Sequence, residues 1–411
     1  MDLRHIPPPR EPPSDPELAA TIRAEIERDG PITFARFMEI ALYDPERGYY
    51  RGPVPRPGRG GDFLTAPEAS PIFGRTVARF VRSVHERLGK PVTLAIREHG
   101  AGTGALAAPL VAELLAVPDG PRRIRYLVAE VEPLRVEAVA ARLAMERLDP
   151  ERVEVEADRG DPIDGLVLAN EVLDALPTHR VVVRGGALHE VLVGLDADGR
   201  FADVEAEPTT PALADRLAAD HVTLEEGQRA EICLALDDWI RDAAEGLQRG
   251  VLAVIDYGYP ARDLYDPRRR AAGTLAAYLG HTVGDDPYRA VGRQDLTAHV
   301  DLTALTRAAL AAGLEPLGEA TQTDFLARLG IGDLLVAEQT RPDATLPAYL
   351  ETRSAVIRMI DPAAMGRFRV LAYGREVAAE PPLAGFAPVT AAPPASLPDP
   401  PGPPPSPPPI V

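Results

Sequence analysis

The segment EHGAGTGAL combines one acidic residue with glycines in a spacing that could bind a small molecule. Glu98 stands two residues before the first of the glycines, which are Gly100, Gly102 and Gly104. Glycines allow a sharp turn and a close approach of a ligand to the backbone, and the start of a following helix offers free N–H groups. A carboxylate here would repel a pyrophosphate and attract a positive charge. The segment therefore predicts a pocket for a cation-bearing ligand, with a glycine turn that binds nothing as the alternative.

S-adenosylmethionine would suit such a pocket, because it carries a sulfonium and an ammonium group. The order Glu-x-Gly-x-Gly-x-Gly is typical of the turn in class I methyltransferases and differs from the Gly-x-Gly-x-x-Gly of dinucleotide folds. Glu130 follows the next predicted strand, where a carboxylate can accept hydrogen bonds from ribose hydroxyls; the alternative is a solvated strand end. Asp158, after a third predicted strand, is a candidate contact for the adenine amine.

The segment ANEVLDALP ends a fourth predicted strand with Asn170, Glu171 and Asp174. A guanidinium group is a poor nucleophile, because its pKa is above about 12. Paired carboxylates can bind it, orient one nitrogen and accept the proton that leaves, and the amide oxygen of Asn170 can fix a donor. These residues are therefore candidate catalytic groups. The alternative is that Glu171 and Asp174 only charge the first turn of a helix.

Alternating strand and helix patterns would position these residues. Apolar runs that predict strands occur at 92–100, 124–132, 152–157, 164–171 and 251–258, and helical patterns follow the first two. This alternation is typical of an α/β fold with a parallel, doubly wound sheet. Its strands would end along one edge, where ligands bind. Two apolar runs around Gly185 and Gly186 predict a hairpin.

The predicted organisation is one elaborated domain between two proline-rich ends. The boundaries are a flexible N-terminus over 1–18, the domain over 19–378 and a disordered tail over 379–411. Within the domain we expect a helical part over 19–90, a sheet core over 91–258 with an insertion over 180–250, and a C-terminal part over 259–378. Proline-rich composition of this kind favours extended, poorly ordered chain.

Composition argues against several classes of protein. The formal charge is −18, from 44 basic and 62 acidic residues, and no basic stripe for nucleic acid is evident. Cys233 is the only cysteine, so no disulfide can form within the chain. No run approaches the roughly 18 apolar residues of a membrane helix, so we expect no membrane insertion and a cytoplasmic protein. His99 and His281 lack the spacing of metal ligands, so we expect no metal.

Several separated segments resemble the MidA family of S-adenosylmethionine-dependent methyltransferases, which includes the mitochondrial complex I assembly factor 7 group. The matching segments include GPITFARFMEIALYDPERGYY, GDFLTAPEASPIFG, EHGAGTGAL, ANEVLDALP, VIDYG, RQDLTAHVDLTAL and MGRFRVL. The resemblance implies a Rossmann-like class I methyltransferase core with additions, and S-adenosyl-L-methionine as cofactor. It also implies methylation of a protein arginine, since the mitochondrial branch modifies a complex I subunit.

The resemblance also bears on the segment GDFLTAPEAS, which in this family lies beside the cofactor pocket. Thr65 and Glu68 have the spacing of a capping box, and that interpretation alone would make the segment structural. Capping does not explain Asp62, so we expect Asp62, Thr65 and Glu68 to help close the pocket. Tyr257 could stack on substrate or only pack, and His299 is more typical of a buried structural histidine than of a base.

Two rival functions remain open at this stage. The same core could methylate a small molecule, or the fold could serve as an assembly chaperone without catalysis. The intact glycine turn argues against the chaperone. The sequence leaves the oligomeric state, the acceptor and the number of methyl groups open.

Overall fold

The computed structural model describes residues 14–51, 64–280, 282–342 and 344–386. The strands are β1 (Thr93–His99), β2 (Arg123–Ala129), β3 (Val153–Ala157), β4 (Ile163–Asn170), β5 (His179–Arg184), β6 (Ala187–Leu195), β7 (Phe201–Ala206), β8 (Arg229–Ile232), β9 (Leu247–Asp256), β10 (Gly258–Tyr259), β11 (Ala276–Leu279), β12 (Thr282–Gly284), β13 (Asp295–Thr297), β14 (Val300–Asp301), β15 (Glu315–Thr321) and β16 (Arg369–Arg375).

The helices surround these strands and begin before the first of them. They are α1 (Pro16–Asp29), α2 (Phe34–Tyr43), α3 (Ala66–Ala69), α4 (Ile72–Arg87), α5 (Ala107–Ala116), α6 (Leu134–Met145), α7 (Ala212–Ala219), α8 (Ala235–Glu245), α9 (Ala261–Leu264), α10 (Pro267–Arg270), α11 (Leu302–Ala311), α12 (Gln322–Arg328), α13 (Ile331–Gln339) and α14 (Leu346–Ile360). Short 3-10 helices cover Tyr49–Arg51, Pro150–Arg152, Leu173–Ala175 and Met365–Arg367.

The main sheet has the strand order β15-β16-β9-β4-β1-β2-β3 within the described residues. The pairs β1–β2, β1–β4, β2–β3 and β4–β9 are parallel, whereas β16 pairs antiparallel with both β9 and β15. The parallel, doubly wound α/β core is therefore confirmed, with an antiparallel pair added at one edge. Parallel strands end at the same edge of the sheet, so the ends of β1, β2, β4 and β9 lie near one another.

Alternating side chains of these strands fill two separate cores. Leu166 and Leu168 of β4 pack into a cluster with α4, α5 and α6. Val167 and Ala169, which point to the opposite face, pack into a cluster with α8 and α11. Successive side chains of a strand point to opposite faces, and a sheet covered by helices on both faces buries them all. This arrangement explains why the strands are continuous apolar runs in the sequence.

A second, antiparallel sheet is inserted between β4 and β9, with the order β7-β6-β5-β8. Gly185 and Gly186 form its predicted hairpin turn, with φ values of +59° and +77° that favour glycine. The N-terminal helices α1 and α2 pack on this sheet through a cluster that contains Phe37 and Val193. Although α8 falls within the predicted insertion, it covers one face of the main sheet.

Ordered structure extends beyond the predicted domain over 19–378 at both of its ends. Helix α1 begins at Pro16, and Leu18 is buried. At the other end, Leu383 and Phe386 are buried in the main core. Among the described residues, no helix has the length and apolar character needed to cross a membrane.

Candidate active site

A cavity of about 790 Å³ opens at the edge where β1, β2 and β4 end. Its wall brings together most of the residues that the sequence singles out. The predicted site residues on this wall are Thr65, Glu68, Glu98, Gly100, Gly102, Glu130, Asn170 and Glu171, together with Asp158. Cavities of this size are ordinary for small ligands and cofactors, and the location is the one at which parallel α/β sheets bind ligands.

The glycine turn after β1 needs glycine at each of its three positions. Gly100, Gly102 and Gly104 have φ values of +67°, +55° and +76°, a region that side chains with a Cβ rarely adopt. A Cβ at Gly100 would lie 2.7 Å from Val172 Cγ2, and one at Gly104 would lie 3.1 Å from Val139 Cα. The turn therefore brings the backbone close to the turn after β4 on one side and to α6 on the other.

Glu98, at the end of β1, is a buried carboxyl group on the cavity wall. It is 2% exposed and accepts a hydrogen bond of 2.5 Å from the hydroxyl of Tyr126. Burial raises its pKa to about 7; the Tyr126 hydrogen bond opposes this shift, and the charge of Glu130 adds to it. A cation beside a carboxyl group favours its charged form, so a cationic ligand here would find a matching group.

Glu130, at the end of β2, is joined to the glycine turn. The backbone N–H of Gly102 donates to Glu130 Oε1 across 2.6 Å. Burial raises the pKa of Glu130, while this hydrogen bond and the charge of Arg135 oppose the shift. The carboxylate thus lies between the turn and the space beyond β2, where the sequence predicts a ribose.

Aromatic and charged side chains line a further part of the cavity wall. The rings of His99 and Trp239 meet edge to face with centroids 5.1 Å apart. Asp158 also lies on this wall, and the buried Arg97 holds its Oδ1 through an Nη2 contact of 2.8 Å. Trp239 was not identified from the sequence as a site residue, although it is the only tryptophan in the chain.

The turn after β4 carries the candidate acceptor-side residues. Glu171 has a φ of +53°, which is uncommon for a residue with a side chain. Asn170 Nδ2 donates to Glu171 Oε1 across 3.2 Å. Burial raises the pKa of Glu171 to about 8 and the charge of Asp174 adds to this, while hydrogen bonds from Asn170 and from the backbone of Ala66 oppose it. Glu171 is therefore a carboxyl group that can hold a proton near neutral pH.

Asp174 lies behind this turn and is absent from the described wall of the large cavity. It is buried in the 3-10 helix that follows, and the hydroxyl of Tyr257 donates to its Oδ2. Burial raises the pKa of Asp174 to about 6, and the Tyr257 hydrogen bond opposes the shift. The alternative interpretation, that both acids charge the first turn of a helix, holds for Asp174, which lies in the first turn of the 3-10 helix Leu173–Ala175, whereas Glu171 lies before that helix.

Tyr257 and His299 are packed residues on the same side. The Tyr257 ring contacts those of His299 and Phe368, with centroids 5.4 and 5.2 Å apart. Burial, with the charges of Arg270 and Arg367, lowers the pKa of His299 to about 4. His299 is therefore neutral at physiological pH and fits a structural role.

The segment from Thr65 to Glu68 packs between the two turns. The hydroxyl of Thr103, inside the glycine turn, donates to Glu68. Thr65 precedes α3, but its side chain makes no capping hydrogen bond. The capping-box interpretation is thus wrong: Glu68 reaches the glycine turn instead of the start of its own helix. Asp62, the third predicted residue here, lies outside the described residues.

Three tyrosines from the N-terminal part complete the wall, and sequence analysis did not identify them as site residues. They are Tyr43, Tyr49 and Tyr50. Tyr43 and Tyr50 stack with centroids 5.5 Å apart, and their hydroxyls donate to the Ala175 carbonyl oxygen and to Asp295 Oδ1. The close spacing of tyrosines in ALYDPERGYY was the available signal.

These residues fit S-adenosylmethionine as a cofactor. The buried Glu98 suits its positive charges, the left-handed glycine turn offers close backbone approach, and the rings of His99 and Trp239 on the same cavity wall suit an adenine.

Curated relatives of the chain are protein arginine methyltransferases by name. The chain is 28% identical over 391 residues to "Protein arginine methyltransferase NDUFAF7 homolog, mitochondrial" of Drosophila melanogaster, covering 86% of this chain and 84% of that protein. It is 28% identical over 340 residues to "Protein arginine methyltransferase NDUFAF7, mitochondrial" of Homo sapiens, covering 75% of this chain and 72% of that protein. The cytoplasmic location expected from the sequence is contradicted by these relatives, which are named mitochondrial.

A solved structure and a family model agree with this assignment. A crystal structure of a Burkholderia thailandensis protein bound to S-adenosyl-homocysteine has a TM-score of 0.80 and 34% identity, covering 90% of this chain and 94% of that one. Residues 76–320 match the model of a family described as "Putative S-adenosyl-L-methionine-dependent methyltransferase". The resemblance seen in the sequence is confirmed: the chain belongs to this family of S-adenosylmethionine-dependent methyltransferases.

Proposed function

We propose that this methyltransferase acts on an arginine side chain of a protein. The observation that supports this most is Glu171, a carboxyl group on the cavity wall whose pKa burial raises to about 8. Among the described residues, the charged neighbour that shifts this pKa is Asp174, which is another acid rather than a cation. A guanidinium group would supply the missing positive charge.

The cofactor side of the cavity has a separate set of roles. When bound, S-adenosylmethionine supplies the activated methyl group. Glu98 faces its positive charge, the backbone of Gly100 and Gly102 gives it space, and Glu130 accepts from the ribose. Gly104 is absent from the described cavity wall and instead lets the turn approach α6. Glu68 braces the turn beside the cofactor through the Glu68–Thr103 contact, and Thr65, on the cavity wall, helps to close the pocket. The role of Asp62 stays a prediction.

On the acceptor side, the reaction requires a proton to leave. A guanidinium nitrogen has a pKa above about 12, and it releases one proton when it gains a methyl group. An arriving guanidinium lowers the pKa of Glu171, because opposite charges favour ionisation. The resulting carboxylate can orient the nitrogen and accept its proton. Asn170 holds Glu171 Oε1 across 3.2 Å, and Asp174 adds negative charge from behind.

The stacked rings of Tyr43 and Tyr50 support arginine as the acceptor. A planar guanidinium stacks on aromatic faces and binds a carboxylate through paired hydrogen bonds, which an ammonium cannot do. Both hydroxyls are already hydrogen-bonded to protein oxygens. The rings therefore contribute surface rather than an attacking oxygen.

We further propose that the acceptor belongs to a subunit of respiratory complex I or its local equivalent. The support is the name NDUFAF7 of the relatives at 28% identity and the resemblance to the complex I assembly factor 7 group.

Intact-mass comparison of cellular proteins tests this function. Cells that lack the gene are complemented with the parent protein or with Glu171→Gln. We expect one protein to gain 14 Da or a multiple of it only with the parent protein, on an arginine located by tandem mass spectrometry. A change confined to small metabolites would favour the small-molecule acceptor. If no methylation is found and Glu171→Gln restores the cells as fully as the parent protein does, the chaperone function would be favoured.

A further inference from the structure

The backbone at Glu171 is held in a conformation that its side chain disfavours. Its φ of +53° lies in the left-handed region, where glycine is the usual residue. Glycine here would remove the strain and the carboxyl group together. A strained residue at a functional site persists only when neighbouring contacts impose its conformation, so the contacts around this turn identify what holds Glu171 in place.

The holding contacts come from the end of β9. The Glu171 N–H donates to the Ile255 carbonyl oxygen across 2.8 Å. The next residues, Val172 and Leu173, both donate their backbone N–H to Asp256 Oδ2, at 3.1 and 2.8 Å. One carboxylate oxygen thus fixes the two peptide groups that follow Glu171.

Asp256 lies where it can hold the backbone of this turn, and it does not reach the cavity. It is 1% exposed and absent from the described wall of the cavity. Its other oxygen, Oδ1, accepts from the N–H of Tyr257 across 2.8 Å. No cation pairs with Asp256 among the described residues. Burial and the charge of Asp174 raise the pKa of Asp256 well above its ordinary value, and the backbone N–H groups of Leu173 and Tyr257 oppose this shift. Buried acids that bind only backbone donors are costly and call for a reason.

We propose that Asp256 is a positioning residue for methyl transfer: it fixes the left-handed turn so that the Glu171 carboxylate faces the acceptor. The inference rests on the proposed role of Glu171. The same turn places Val172 under the glycine turn, since a Cβ at Gly100 would lie 2.7 Å from Val172 Cγ2. Asp256 therefore sets the acceptor side relative to the cofactor side.

The variant Asp256→Asn tests the proposal. A carboxylate accepts at both oxygens, whereas an amide offers one acceptor and turns its NH2 toward a backbone donor. Depending on which way the amide turns, residue 256 loses either the hydrogen bonds from the Val172 and Leu173 N–H groups or the one from the Tyr257 N–H. We expect a fall in kcat of about 10- to 100-fold, the size of effect that a misplacement near 1 Å produces. Affinity for S-adenosyl-homocysteine by calorimetry stays at the parent value.

A second readout is independent of the acceptor. The Glu171 carboxyl group is titrated by 13C NMR, with its resonance identified by its loss in Glu171→Gln. The charged or titratable groups that act on Glu171, or on which it acts, are Asp174, Asp256 and Tyr278. Burial is the largest cause of the raised Glu171 pKa. Loosening the turn in Asp256→Asn admits water, and we therefore expect the Glu171 pKa to fall from about 8 toward its ordinary value.

Asp301→Asn is the matched control. Asp301 is also a buried acid, 7% exposed, and accepts from the N–H groups of Thr303 and Ala304 at 2.9 and 3.0 Å. We expect comparable destabilisation, with the parent kcat and the parent Glu171 pKa. kcat is measured on a peptide that contains the arginine mapped by mass spectrometry, and is normalised to cofactor-binding sites.

Parent kcat together with the parent Glu171 pKa in Asp256→Asn would overturn the inference. An inactive parent protein with the expected NMR shift would instead count against arginine methylation while supporting the positioning. Should Asp256→Asn not fold, amide hydrogen exchange in the unmodified protein decides. If the amides of Val172 and Leu173 exchange as slowly as those of β4, Asp256 holds the turn. If they exchange as fast as exposed amides, the inference is refuted.

Discussion

The backbone N–H of Gly102 donates a hydrogen bond to Glu130 Oε1 across 2.6 Å, and this contact joins the glycine turn to the end of β2. Gly102 has a φ of +55°, in the left-handed region that favours glycine. The two residues are 28 positions apart in the chain but form one corner of the cavity. The cofactor side of the site is therefore a single unit built from two parallel strands.

Substituting Gly102 should disrupt that unit. In Gly102→Val, a β-branched side chain at positive φ costs about 1–3 kcal/mol or moves the turn, and it projects into the cofactor space. We expect cofactor affinity to fall about 10- to 100-fold or more, as measured by calorimetric titration with S-adenosyl-homocysteine. Gly199→Val is the control, because Gly199 has a φ of +74° and nothing within 4 Å of a Cβ. Unchanged affinity in Gly102→Val would refute the assignment of the turn.

Binding of S-adenosylmethionine should depend on the charge of Glu98. Burial raises the pKa of Glu98 to about 7, and a cationic ligand favours the ionised form. Affinity should therefore rise as pH increases through about 7 and fall below it. Glu98→Gln should bind more weakly, without this pH-dependent component. Calorimetry from pH 6 to pH 8 on both proteins separates Glu98 from the titration of the ligand, and parallel curves would argue against its role.

Glu171→Gln should separate transfer from cofactor binding. Glutamine keeps the shape of the side chain but cannot accept the proton, so we expect kcat to fall about 10²- to 10⁴-fold with the parent cofactor affinity. Since the free Glu171 has a pKa of about 8 and a bound guanidinium lowers it, the parent kcat should fall only at pH values well below 8. Parent turnover in the variant would exclude Glu171 as the base.

Arg97 should stabilise the part of the cavity wall that contains Asp158. This buried guanidinium donates to Asp158 Oδ1, to the Gly246 carbonyl oxygen and to the Asp161 carbonyl oxygen at 2.9, 2.7 and 2.6 Å. Arg97→Met removes all three hydrogen bonds and the positive charge beside Asp158, leaving Asp158 Oδ1 and the Gly246 carbonyl oxygen with only the N–H groups of Gly160 and Ile163. We expect a loss of about 3 kcal/mol in the free energy of unfolding, measured by urea denaturation.

Arg125→Met provides the comparison on the neighbouring strand. Arg125 pairs with Glu156 but is 37% exposed, so its loss should cost less than about 1 kcal/mol. Equal destabilisation by the two variants would contradict the structural role given to Arg97.

Trp239 offers a direct optical signal of cofactor binding. It is the only tryptophan in the chain and lies on the cavity wall beside His99. Saturable quenching or a spectral shift should accompany the addition of S-adenosyl-homocysteine, with the dissociation constant found by calorimetry. Binding heat without any change in fluorescence would show that the ligand binds away from Trp239.

The placement of Glu98, Gly100, Gly102 and Glu130 on one cavity wall could be predicted from sequence, because each lies at or just after the end of a strand. Glu98, the glycine turn and Glu130 follow strand ends, and parallel strands must end at one edge of the sheet. Hydrophobic runs and turn glycines mark those strands without knowledge of the fold.

The remaining parts depend on contacts between distant segments. Tyr43 and Tyr50 reach the cavity from α2 and the 3-10 helix after it, and no local pattern links them to β4. Sequence analysis treated Glu171 and Asp174 as paired carboxylates, but Glu171 adopts a left-handed conformation and a 3-10 helix follows. Asp174 consequently lies behind the wall. The supporting contacts of Asp256 come from β9, after the long insertion.

Transfer of a labelled methyl group tests the central claim most directly. The purified full-length protein is incubated with methyl-labelled S-adenosylmethionine and proteins from cells lacking the gene, and the labelled amino acid is identified after hydrolysis. Our account predicts label on an arginine nitrogen with the parent protein and about background label with Glu171→Gln. Label on another residue or only on small molecules, or equal labelling by both proteins, would contradict it.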